Sequence, residues 1–254
     1  MKIRVLGCQG GILPGFRATS FLINKNILID AGSVASELTL GQQDDVRHIF
    51  ITHFHLDHTK DIAFLSDNAV GRGNLPITIY GTGDTTSGFT RYFFNEHTWP
   101  DFSEISSMGK PIVALTTIGM HEKIKIGDME LLAFPVNHDV NGVGYLVRDK
   151  KASVLFSGDT GETDALWDIA NAEKNLKAIF LETSFPNELQ SIADASKHLT
   201  PQRLESEIQK FKREDCPIFL YHLKPRYYDL LKKEIFSLNN KRMRILENDQ
   251  VLEY

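Results

Sequence analysis

Residues 51–60 read ITHFHLDHTK. Within them, positions 53 to 58 hold His53, His55, Asp57 and His58. They follow the apolar run of HIFITHF (48–54), which reads as a strand. Side chains alternate along an extended chain, so His53 and His55 point one way and Phe54 points into the core. Leu56 opens a turn. Asp57 and His58 then fall at the start of the next element and face back. One short segment thereby offers four ligands in two groups, and imidazole with carboxylate suits zinc, manganese or iron. A lone histidine at a strand end is usually ordinary polar surface, but four ionisable side chains in this spacing are not.

Outward from this stretch, short runs rich in Val, Ile and Phe recur between turn residues. They are KIRVLG (2–7), SFLINKNILIDAG (20–32), PITIYG (76–81), MELLAFPV (129–136), GVGYLVRD (142–149), ASVLFSGD (152–159), KAIFLETSF (177–185) and PIFLYHL (217–223). Several are nearly continuous in apolar character, as expected of strands covered on both faces. INKN (23–26) reads as a hairpin turn. Helices lie between the runs. Thr200 caps one, with Pro201 at its first position and Leu204, Ile208 and Phe211 as its apolar stripe. Residues 226–237 read as another, and residues 57–70 start a third. The stretch 82–110 has no clear period, yet Phe89, Tyr92, Phe93, Phe94, Trp99 and Phe102 argue against disorder. The pattern predicts an α/β fold of layered sheets covered by helices, with a site at the strand ends. It also predicts a single domain over residues 1–254, with an aromatic-rich insertion at about 82–110.

The 254-residue chain is 42% hydrophobic, enough for a substantial core, and its formal net charge is −5. Such a chain lacks the broad basic surface that non-specific nucleic-acid binding needs. Two cysteines, Cys8 and Cys216, make no disulfide framework and read as buried, reduced thiols. MKIRVLGCQGG (1–11) reads as a strand and a turn without a signal-peptide pattern, and its glycine loop reads as structural. No apolar run approaches the ~18 residues of a membrane span. The expectation is a cytoplasmic protein without membrane contact.

One segment cannot complete two metal sites. Three further candidates each close an apolar run: His138 after MELLAFPVN, Asp159 in ASVLFSGD and His222 in PIFLYHL. Each fits the same sheet edge. The whole pattern resembles the metallo-β-lactamase superfamily, whose motif is H-x-H-x-D-H followed by a distant His, a bridging Asp and a last His. The resemblance spans nearly the whole chain. It implies a four-layer αββα sandwich of two mixed sheets covered by helices. It also implies two divalent metal ions, zinc first, with manganese or iron as alternatives. By that resemblance His53, His55 and His138 hold one ion, Asp57, His58 and His222 hold the other, and Asp159 bridges. Asp30 in LIDAG matches a superfamily aspartate that orients ligands; on its own it reads equally well as a turn cap. A metal-bridging hydroxide is the nucleophile that such a pair supplies at neutral pH.

Three stretches narrow the reading. HFHLDHTKDIAFLSDN (53–68) resembles the class II cyclic-nucleotide phosphodiesterase motif through His-Leu-Asp-His and Ser66, and departs from it at Thr59, Asp61 and Asp67. LETSFPNELQSIADASKHLTP (181–201) is similar to that family's Ser-Phe-Pro-Asn run, here with Asn187, before His-Leu-Thr-Pro. In the related tRNA 3′-processing nuclease, RNase Z, a Glu–His pair supports leaving-group protonation. Carried here, Glu182 orients His198, which protonates the leaving group or stabilises the scissile phosphate. FFNEHTWPDFSEI (93–105) resembles the family's Asn…Trp-Pro-Asp stretch. Asn95, His97, Trp99 and Asn187 are therefore the expected substrate contacts. A base stacking on Trp99 or Phe94 is one use of these aromatics, and packing of a lid or a dimer contact is the other.

The resemblance thus implies a phosphodiesterase that opens cyclic 3′,5′-nucleotides such as cAMP and cGMP to 5′-nucleotides. Asp57, Glu182 and His198 are its catalytic residues, with Asp57 both ligand and proton acceptor. A homodimer acting on a small molecule is the expected assembly. One alternative is an RNase Z-like tRNA nuclease, which should carry a basic arm that this acidic sequence does not display. The other is a sensor that binds metal and nucleotide without turnover.

Overall fold

Alternation along the strands sorts the apolar side chains into three layers. In the computed structural model, which describes residues 1–254, Phe21 and Ile23 face one layer and Leu22 faces another. The same period separates Val154 and Phe156 from Leu155, and Ala178 and Phe180 from Ile179 and Leu181. Strands that are apolar on both faces must be covered on both faces, and here they are.

The first sheet runs β16 (Val251–Glu253), β1 (Lys2–Gly7), β2 (Ser20–Ile23), β3 (Ile27–Ile29), β4 (His48–Phe50), β5 (Ile77–Gly81), β8 (Val113–Thr117). The second runs β15 (Met243–Ile245), β14 (Ile218–Tyr221), β13 (Leu176–Glu182), β12 (Ser153–Phe156), β11 (Val143–Arg148), β10 (Met129–Pro135), β9 (Lys123–Ile126). A small ladder pairs β6 (Ser106–Ser107) with β7 (Lys110–Pro111). The middle layer joins the two sheets. There Phe21 meets Phe156 at 5.1 Å and Phe180 at 5.5 Å between ring centroids. Cutting such a buried ring to alanine costs about 3–5 kcal/mol.

Helix α3 (Asp61–Asn68) covers the first sheet by packing Ile62 and Leu65 with Ile49 and Ile79. Helices α5 (Ala165–Ala172), α7 (Pro201–Ile208) and α8 (Tyr228–Ser237) cover the second, through Trp167, Leu204 and Leu231 against Leu155 and Leu220. This is the expected four-layer αββα sandwich of mixed sheets. Thr200 caps α7 with Pro201 first, as its sequence predicts. Short helices α1 (Leu40–Asp45), α2 (Leu56–Thr59), α4 (Gly83–Gly88) and α6 (Gln190–Ala195) fill the connections. No helix is long and apolar enough to cross a membrane.

Strands β3, β4, β5 and β8 are mutually parallel, as are β12 to β15. Their C-terminal ends therefore gather at one edge, where open α/β sheets place their ligands. Two antiparallel steps bring β10 into the sense of β12, so its outgoing residues reach that edge too.

Three expectations change in detail. The run 48–54 is a strand only to Phe50. The helix expected over 57–70 is broken at Lys60 into α2 and α3. There the Asp61 amide donates to Ala31 O, and its carboxylate accepts from the amides of Val34 and Ala35. Asp61 is thus a clamp on the turn after β3. Finally, residues 82–110 hold α4, a π-turn over Phe89–Phe93 and a buried aromatic cluster of Phe89, Phe93, Phe94 and Phe102.

Candidate metal centre

After β4 the chain bends at Thr52 before it reaches α2. The Thr52 amide donates to Asp30 Oδ1 at 2.8 Å instead of to a neighbouring strand. His55 stands at the N-cap of α2, whose first turn carries Asp57 and last turn His58. The LIDAG turn presses against this helix: a Cβ on Gly32 would lie 1.9 Å from Asp57 O, so only glycine fits. Asp30 takes a left-handed φ of 58°, which Asp tolerates better than most residues.

Five imidazole nitrogens and two carboxylates converge at the edge. His53 Nε2 lies 2.9 Å from His55 Nδ1, which lies 3.4 Å from His138 Nε2. His222 Nε2 lies 3.3 Å from both His58 Nε2 and Asp57 Oδ2. Ligand atoms of His53, His55 and His138 fall within 4.8 Å of one another, as do those of Asp57, His58 and His222. Between the trios stands Asp159. Its Oδ2 lies 3.2 Å from His222, 3.4 Å from His58 and 3.7 Å from His53. Its Oδ1 is buried with no hydrogen-bond partner.

The far nitrogens of these rings are held in turn. Asp30 Oδ2 accepts from His58 Nδ1 at 2.7 Å. Thr52 Oγ1, itself bonded to Asp30, lies 3.1 Å from His53 Nδ1. Ser184 Oγ lies 2.9 Å from His222 Nδ1, and Lys197 O lies 3.4 Å from His138 Nδ1. Such partners fix each ring's tautomer and aim. Gly10 belongs to this set by absence, since a Cβ there would lie 2.6 Å from His222 Nδ1. Thr52, Ser184 and Gly10's contact escape sequence reasoning, because hydroxyls and glycines occur in any loop.

Burial lowers the proton affinity of His53, His55, His138 and His222, which leaves lone pairs for a cation. His58 goes the other way: burial opposes its proton, but Asp159 and Asp30 outweigh burial and raise its pKa well above the usual value. Burial opposes ionisation of Asp57 and Asp159. The neighbouring imidazoles, His222 and His58 foremost, win and hold both carboxyls well below the usual range. A cation held by His58 would have to displace its proton.

Beside the cluster, His198 Nδ1 lies 2.8 Å from Glu182 Oε1, and both side chains are buried. Burial opposes His198's charge, yet the Glu182 carboxylate raises its pKa. Ser184 Oγ donates to Glu182 Oε2 and touches both His198 and His222, tying this pair to the cluster. Lys224 Nζ lies 3.9 Å from Asp57 Oδ2.

The four expected substrate contacts lie elsewhere. Asn95 spends its side chain on its own turn, bonding Arg91 O and the amides of His97 and Thr98. His97 is exposed. Trp99 packs edge-on against Phe64 at 5.5 Å. Asn187 Oδ1 accepts from the Gln202 amide at the start of α7. None lines the clefts that border the cluster. Phe94, at 1% exposure, has no free face for a base, so of its two readings the structure favours packing.

A family model described as Beta-lactamase superfamily domain matches residues 25–215. The chain belongs to that superfamily. Curated relatives within reach include a probable 3′,5′-cyclic-nucleotide phosphodiesterase of Yersinia pestis, 24% identical over 89% of this chain and 79% of the relative. The 3′,5′-cyclic-nucleotide phosphodiesterase of Aliivibrio fischeri is also 24% identical, over 96% of this chain and 86% of its own. Among solved structures, unliganded yeast PDE1 superposes with a TM-score of 0.81 at 18% identity, over 100% of this chain and 99% of that one. The superfamily fold implies divalent metal ions, and the residues fit them. A buried carboxylate oxygen without a partner sits between two trios of converging lone-pair donors.

Proposed function

We propose that the chain is a phosphodiesterase dependent on two divalent metal ions, zinc first, that hydrolyses cyclic 3′,5′-nucleotides to 5′-nucleotides. The observation that carries this reading is the pairing of two ligand trios about Asp159 with a buried Glu182–His198 couple at their side. The names of the two curated relatives support the substrate class. His53, His55 and His138 would hold one ion, Asp57, His58 and His222 the other, and Asp159 would reach both. Bound there, the ions supply positive charge to a phosphodiester and lower the pKa of water.

The chain's own residues do the rest. Asp57 accepts a proton from the attacking water. His198, charged and held by Glu182, donates its proton to the departing 3′ oxygen. Ser184 keeps His198 and His222 in register, so acid and ligand move together.

The test is purified protein reconstituted with zinc or manganese and offered cAMP, cGMP and a tRNA precursor. Formation of 5′-nucleotide that stops on chelation and returns with metal supports the reading. Cleavage of the precursor without 5′-nucleotide would make the protein RNase Z-like. Binding of cyclic nucleotide without product would make it a sensor. Turnover that persists after complete metal removal refutes the mechanism.

A further inference from the structure

Two clefts border the cluster, and their linings differ in kind. The cleft beside His198, about 280 Å³, is polar, with Leu199 as its single apolar side chain, Lys197 and Arg203 as cations and Glu162 and Asp194 as the anions that Arg203 pairs with. The cleft beside His53, about 340 Å³, has the rings of Phe54 and Tyr92, the amide of Asn141, and the carboxylates of Asp84 and Asp139, of which Asp139 lies 3.8 Å from Lys197 Nζ. Carboxylates repel a phosphate, and Asp84 has no cation beside it. They suit a neutral group rich in N–H donors, because an ionised carboxylate only accepts. Two aromatic rings suit a flat one. Tyr92 is 65% exposed, so its ring is available to a ligand.

The acceptors are positioned by a tie between loops. Asp84 sits in the first turn of α4, which Thr82 caps. Asn141 Nδ2 donates to Asp84 Oδ2, and Thr82 Oγ1 donates to Asn141 O at 3.2 Å. Asp84 Oδ1 and Asn141 Oδ1 take no hydrogen bond within the chain, so each partner of the tie keeps a free acceptor in the lining of the cleft.

Resting on the phosphodiesterase reading, we propose that this cleft is the nucleobase site and that Asp84 with Asn141 selects guanine over adenine. Guanine offers N1–H and N2–H as adjacent donors, one for each acceptor. Adenine offers N6–H beside the lone pair of N1, which would meet an acceptor oxygen head-on. A bidentate match of this kind discriminates by roughly 5- to 160-fold.

The experiment measures kcat/KM for cGMP and cAMP on the metal-loaded protein, and the Kd of 5′-GMP and 5′-AMP by calorimetry. The expected result is a preference for guanine within that range in both ratios. Asp84→Ala should bring both ratios toward one. Asp84→Asn should move them toward adenine, since an amide pairs with adenine's donor and acceptor. Asn141→Ala lowers the ratios independently should Asp84 variants fail to fold. Equal or adenine-favouring ratios in the natural protein, or ratios that ignore folded Asp84 and Asn141 variants, overturn the base site. Hydrolysis of both cyclic nucleotides without preference would sink this site and leave the phosphodiesterase reading standing. Asp84-dependent preference for GMP without cyclic-nucleotide hydrolysis would do the reverse.

Discussion

Asp30→Asn conserves volume and keeps the left-handed φ of 58° accessible, so it isolates one effect. Asp30 Oδ1 accepts from the Thr52 amide at 2.8 Å, and an amide oxygen can still do so. Its Oδ2 accepts from His58 Nδ1 at 2.7 Å, and here the variant turns an NH₂ toward the ring. Two donors then face each other unless His58 moves its proton to Nε2, the atom it presents to Asp159 and His222. Either outcome withdraws a ligand from the trio of Asp57, His58 and His222. Losing such a partner weakens metal binding about 10–100-fold, or about 1.4–2.8 kcal/mol at ~1.4 kcal/mol per decade. Losing a hydrogen bond to a charged acceptor costs the fold about 1.5–3 kcal/mol. At about 2–4 °C per kcal/mol for a chain of this size, Tm falls by roughly 3–12 °C. Zinc titration against a competing chelator reads the two sites separately, and calorimetry reads Tm. The trio of His53, His55 and His138 should change less, because Asp30 reaches His53 only through Thr52. Two sites of unchanged affinity, or equal weakening of both, would refute the reasoning.

His198→Ala should lower kcat by about 10²–10⁴-fold while metal content, read by elemental analysis, stays the same. Because Glu182 raises His198's pKa against the pull of burial, the charged form and its stabilisation are complete at low pH. Both are lost as pH rises through the raised value. The kcat–pH profile should therefore fall on its alkaline side, and Glu182→Gln should move that fall to lower pH. Gly10→Ala drives a Cβ to within 2.6 Å of the His222 ring and carbonyl; it should cost about 1–3 kcal/mol of stability and reduce metal stoichiometry, measured on the same sample. Burial pushes the Cys8 thiol up to about 12 and that of Cys216 up to about 11. Ellman's reagent should accordingly find two thiols in denaturant and almost none in minutes on the folded protein.

The parts of this fold that follow strict periods were legible in the sequence. The interior strands β10 to β14 read as apolar runs because both of their faces are buried. The edge strands did not. KIKI of β9 and the short β15 and β16 carry charged residues on an exposed face and resemble loops. Candidate ligands were legible because coordination uses few residue types, and each candidate stands where an apolar run ends. The loops that build the His53 cleft were not. Asp84 and Asn141 are 57 positions apart and meet only because β5 and β10 empty onto one edge. The aromatic stretch announced itself as ordered, but composition does not say which rings face inward. Phe94 faces in, while Tyr92, two residues earlier in the π-turn, faces out.

The cluster straddles the seam of the sandwich. The first sheet's loops bring His53, His55, Asp57 and His58, and the second sheet's loops bring His138, Asp159 and His222. Neither half of the chain can chelate both ions alone. A bound pair of ions would therefore act as a rivet between the two sheets at that edge. Resistance to proteolysis would then follow the ion's rate of escape rather than the strength of either hydrophobic layer. The same rivet would make metal loading a late event in folding, since all seven side chains come together only after both sheets have docked.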